Sequence, residues 1–131
     1  MQKLRARQET RSMEAPQIVI DKVMTIHEAV RYAALFDWKG RKVAGGMKRK
    51  VKSLDPPKKA AGVDRATAQY AILLASNSQF FGDFEFMYAQ MKRVNVIVLQ
   101  AGPKMMLCVT TNPPSGYDLI PRIEGVLREH Y

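Results

Sequence analysis

The sequence predicts an α+β domain: a five-stranded antiparallel sheet with helices on both faces, in the order α-β-β-α-β-β-β-α. Apolar positions alternate along the chain between helical spacing and strand-like runs. Two tight-turn signals, Asp37-Trp38-Lys39-Gly40 and Ala101-Gly102-Pro103-Lys104, each join two apolar or β-branched runs. Hairpins interleaved with amphipathic helices fit a layered sheet whose faces the helices cover.

Residues 1–15 alternate charged and small side chains without a period and read as a flexible arm, leaving 16–131 as a single domain. Pro16 suits a first helical turn. Ile18, Val19, Val23 and Ile26 then recur at helical spacing, which predicts a helix over 17–28. Val30 to Phe36 is a compact apolar run. Asp first and Gly fourth in the following turn suit a type I turn closed by a left-handed residue. The return strand is expected over 41–47, with Gly45-Gly46 ending or bulging it.

Residues 48–62 contain Pro56-Pro57 and little apolar periodicity, so they read as a loop. Asp64 is a plausible helix cap, and Ala66, Tyr70, Leu73, Leu74 and Asn77 fall on one face of a helix over 64–79. Phe80, Phe81, Phe84, Phe86 and Tyr88 follow, and Gly82-Asp83 punctuates them. A strand over 84–91 would set Phe84, Phe86 and Tyr88 on one face and Glu85, Met87 and Ala89 on the other. Residues 94–100 and 105–111 are apolar nearly throughout, as central strands covered on both faces are. Ser115 with Asp118 resembles a capping box for a last helix ending near 130. Its core stripe is Leu119, Ile120, Ile123, Val126 and Leu127.

The chain of 131 residues carries 21 Lys and Arg against 12 Asp and Glu, a net charge of +9. All of the excess lies in residues 1–60, and 39–59 hold nine basic residues against Asp55 alone. Such a block attracts phosphate, anionic lipid or an acidic protein face, or else keeps a loop solvated. Its candidate partner contacts are Lys48, Arg49, Lys50, Lys52, Lys58 and Lys59. Trp38 joins them, because a tryptophan at a hairpin tip either folds back onto an apolar patch or anchors a contact.

Composition excludes several classes. With one cysteine, Cys108, no internal disulfide is possible, and a lone thiol suits a reducing, cytoplasmic compartment. No apolar run approaches the roughly 20 residues of a membrane span, and residues 1–15 lack the apolar stretch of a secretory signal. His27, His130 and Cys108 have no ligand spacing, so neither a metal nor a cofactor is expected. Cys108 lies mid-strand and reads as a small core residue. Gly40 to Gly46 lacks the Lys-Ser/Thr ending of a phosphate loop. The acidic residues are scattered singly, without a pair for acid–base chemistry.

The order of elements, with the segments 30–46 and 94–111, resembles the roadblock/dynein-light-chain superfamily, a profilin-like layered fold. The first segment is also similar to that of a family of small proteins from ammonia-oxidising archaea, in which an apolar strand, an Asp-x-x-Gly-Lys-like turn and Ala-Gly-Gly recur. The resemblance implies a non-enzymatic regulatory or scaffolding module that dimerises through its second helix and third strand and binds or regulates small GTPases. It would put the self-contact on Tyr70, Leu73, Leu74 and Asn77 of the helix, and on Phe84, Phe86, Met87, Tyr88 and Ala89 of the strand. Two such edge strands, paired, would make one ten-stranded sheet. A bare third-strand edge without protecting charges points the same way. Two other readings stay open: a small-molecule sensor holding its ligand between sheet and helix, and a binder of nucleic acid or anionic surfaces through 39–59.

Overall fold

The computed structural model describes residues 16–49 and 57–131, with the backbone alone over 57–64. Helix α1 covers 16–25 and leads into strands β1 (Val30–Asp37) and β2 (Lys42–Met47). Helix α2 (Pro57–Ala75) and a short α3 (Ser78–Phe81) precede β3 (Phe86–Gln90), β4 (Asn95–Gln100) and β5 (Met105–Thr111). A 3-10 turn, Tyr117–Leu119, opens into α4 (Ile120–His130). The five strands form one antiparallel sheet, as expected, and lie in the order β2-β1-β5-β4-β3.

Two cores cover the two faces. Val19, Ile20 and Val23 of α1 and Ile120, Ile123 and Leu127 of α4 bury Val30, Leu35, Ile97, Leu99, Leu107 and Val109. On the other face, Ala68, Ala71 and Ile72 of α2 pack on Tyr32, Ala34, Phe36, Val98, Met106 and Cys108. Fully burying one such leucine or valine contributes about 1.5–3 kcal/mol. Cys108 is therefore the core residue its neighbours indicated. Ion pairing adds little: exposed Lys22 and Glu129 link α1 to α4 at 3.1 Å.

Several elements depart from expectation. α1 ends at residue 25, where Thr25 Oγ1 bonds the Lys22 carbonyl and β-branched Ile26 follows. Ile18 faces solvent, and Ile20 takes the buried place. α2 starts seven residues before the proposed Asp64 cap, because Pro57 fits a first turn and Lys58-Lys59-Ala60-Ala61 favour helix. Residues 57–62 are thus helix rather than loop.

The bulge in β2 sits at Val43, between the pairs Leu35–Ala44 and Phe36–Lys42, while Gly45 and Gly46 stay in register. β3 begins at Phe86, two residues late. The Ser115 cap is absent: Asp118 Oδ1 accepts the Gly116 N–H at 2.7 Å, and the Ser115 carbonyl takes bonds from Asn95 Nδ2 and Thr111 Oγ1.

Candidate functional site

The β1–β2 turn is built around Asp37. Its Oδ1 accepts the backbone N–H groups of Lys39 and Arg41, both at 2.9 Å, and its Oδ2 accepts Arg41 Nε at 2.8 Å. The Gly40 N–H closes the turn on the Asp37 carbonyl, with Gly40 at φ 79°. The bond from the Arg41 backbone N–H, helped by its guanidinium and the Lys39 N–H, holds the Asp37 carboxyl below its ordinary 3.8, against a smaller upward push from burial.

Trp38, the residue after Asp37, folds back. It is half-buried against the α2-side core and lines an open groove of about 550 Å³ with Ala75, Ser78, Asp83, Phe84, Gln100, Gly102 and Pro103. The contact-anchor reading of Trp38 thus loses its premise of an exposed ring. The groove opens where the β1–β2 and β4–β5 turns meet α3, not between sheet and helix.

The helix face proposed for self-contact points outward. α2 buries Ala68, Ala71 and Ile72, spaced three and four apart, and leaves Tyr70 57% and Leu73 59% exposed. Leu74 and Asn77 are half-buried, and Asn77 Nδ2 closes the helix end on the Leu73 carbonyl at 2.8 Å. Phe80 and Phe81, which the sequence reading assigned to no site, are each 75% exposed on α3. Two adjacent phenylalanines just before Gly82-Asp83 were the available signal.

The strand residues do not share one face. Phe84 lies before β3 and packs on the α2 side beside Met87. Phe86 and Tyr88 pack on the opposite core, where each meets the Tyr117 ring edge-on, at 6.0 and 5.6 Å. Ala89 is exposed. β3 closes one end of the sheet, so its outer hydrogen-bonding groups have no neighbouring strand among the described residues.

The basic block is divided. Lys50 and Lys52 lie outside the described residues, and Lys58 and Lys59 belong to the first turn of α2. Lys48 is half-buried. Its Nζ donates to the carbonyls of His27 and Glu28 at 3.2 and 3.5 Å, tying the end of β2 to the α1–β1 connection. The expected partner contact of Lys48 would have to compete with these bonds. Arg49 is exposed. Among the described residues, no three His, Cys, Asp or Glu side chains gather as metal ligands do, and no helix is long and apolar enough to cross a membrane.

The arrangement matches known structures. The gliding protein MglB from Thermus thermophilus superposes with a TM-score of 0.67 at 20% identity, covering 90% of this chain and 86% of that one. A roadblock/LC7 domain from Streptomyces avermitilis reaches 0.63 at 14% identity, over 86% and 92%. MglB from Myxococcus xanthus reaches 0.63 at 14% identity, over 92% and 84%. The fold is roadblock/LC7-like. No family model and no curated protein matches the chain, so the likeness to the archaeal family gains no support.

Proposed function

We propose that this protein is a non-enzymatic regulatory or scaffolding module that works as a homodimer, its copies meeting through α2 and the β3 edge. The observations that carry the reading are the outward exposure of Tyr70, Leu73, Phe80 and Phe81 and the position of β3 at the end of the sheet, with no further strand beside it among the described residues. Contiguous exposed apolar surface marks interaction sites, and an unguarded edge invites a second strand. Met87 and Ala89 lie on the α2 side of that edge, where a partner strand would bring its own α2. Phe86 and Tyr88 brace β3 from behind through Tyr117 rather than meeting the partner. An MglB structure described as a tetrameric arrangement is consistent with assembly in this fold. The roadblock resemblance makes a small GTPase the first partner to test, in the cytoplasm.

Sedimentation equilibrium tests the reading. The wild-type chain should sediment as a dimer at tens of micromolar, roughly where a functional homodimer is populated. Ala89→Glu should shift it to monomer with its circular dichroism retained. A monomeric wild type sinks the proposal.

A further inference from the structure

We propose that β2, the opposite edge, docks an acidic extended segment of a partner protein as a sixth strand of the sheet. The backbone there has no further strand beside it among the described residues. The Lys48 N–H donates to the Arg31 carbonyl at 2.7 Å. In an antiparallel ladder such pairs recur every second residue, so the N–H and C=O groups of Gly45 and Met47 face away from β1. The Val43 bulge and exposed Lys42, both features that guard an edge, lie at the start of the strand and leave 44–47 in continuous register with β1. Among the described residues, a Cβ built on Gly46 would meet nothing within 4 Å.

The charge around this edge selects the occupant. Residues 38–49 contain five cations and no acid. Asp37 engages Arg41, and the Lys48 ammonium caps carbonyls. Lys39, Lys42 and Arg49 are exposed and make no ion pair among the described residues. Lys42 and Arg49 flank the strand at its two ends, roughly 20 Å apart at about 3.3 Å per residue. An incoming strand with carboxylates at its ends would meet a cation at each. A second copy of β2 would instead set cations against cations, which disfavours pairing. The acidic segment therefore belongs to a different protein, and the inference stands whether or not β3 self-associates.

The probe is a blocked seven-residue peptide of alternating glutamate and valine, with a lysine–valine peptide of equal length as control. Amide exchange of the full-length protein is followed by NMR, with the fluorescence of its single tryptophan, Trp38, as a second readout. The glutamate peptide should slow exchange at Gly45 and Met47 and leave Phe86–Gln90 unchanged. Its affinity should fall about tenfold in Lys42→Glu/Arg49→Glu, and also in wild type on raising salt from low to physiological strength. Equal protection by the lysine peptide, protection at β3 instead, or no protection at millimolar peptide overturns the proposal. So does unchanged affinity in the folded double variant or across the salt series.

Discussion

At one edge of the sheet, β2 offers two adjacent glycines between cations. At the other, β3 offers Met87 and Ala89 and follows α3 with its exposed Phe80 and Phe81. β2 is held by its backbone. A Cβ on Gly45 would lie 2.2 Å from the Ala33 carbonyl oxygen and 2.6 Å from the Ala34 Cα, and Gly45 has φ 107°. β3 has an unbroken ladder to β4 and a side-chain brace as well, since Phe86 and Tyr88 share the Tyr117 ring. An edge fixed by close backbone approach tolerates almost no change in its own residues. An edge fixed by rings keeps its outer positions free to vary, and those positions can carry recognition.

The sharpest break in this comparison is Gly45→Ala. The added methyl must displace the β1 backbone as well as strain φ, so stability should fall by about 2–4 kcal/mol in urea unfolding. Gly46→Ala, with a strained φ of 153° but open space, should lose less. Equal losses at the two glycines would show that φ, and not the approach to β1, sets the cost. On the β3 side, Tyr117→Ala removes both edge-on ring contacts and should cost about 1–3 kcal/mol. The same variant should raise amide exchange at Phe86–Gln90 more than at Lys42–Met47; uniform loosening would mean that the brace is not local to β3.

The smallest effect lies in the turn that feeds β2. Because the Asp37 carboxyl is held below its ordinary 3.8, the folded state favours its charged form. That contribution is complete above the unfolded value and is lost as pH falls through the folded one. Asp37→Asn should flatten the pH dependence of the melting temperature below about pH 4 and leave the profile above about pH 6 parallel to wild type. An unaltered acid limb would assign the acid sensitivity to other carboxylates.

The strands were legible because hairpin turns and apolar runs are local signals. Asp37-Trp38-Lys39-Gly40 specifies its turn through one side chain and one glycine, with no help from distant contacts. Helix faces were harder to read. The stripe of α2 containing Tyr70 and Leu73 carries the larger apolar side chains. The sheet selects Ala68, Ala71 and Ile72 instead, so the small side chains go inside and the large ones remain outside. That inversion, invisible to a hydrophobicity count, is what makes the surface a candidate site. Phe84 precedes β3, so the strand's alternation does not reach it, and it packs opposite Phe86 and Tyr88. The role of Lys48 depends on carbonyls twenty residues away in the chain, which no local pattern reports.

The strand order has a consequence for how the chain acquires its structure. β1 lies between β2 and β5, and the Val30–Thr111 pairing joins residues from opposite ends of the domain. The β1–β2 and β4–β5 hairpins close short loops and can form quickly, whereas the β1–β5 ladder closes a loop of about seventy residues and carries the larger entropic cost. During synthesis β1 therefore leaves the ribosome long before the neighbour that completes the sheet. Until β5 arrives, Ala33 to Phe36 have a partner on one side only. For that interval β1 is itself an apolar edge, and a nascent-chain chaperone would be expected to bind it there.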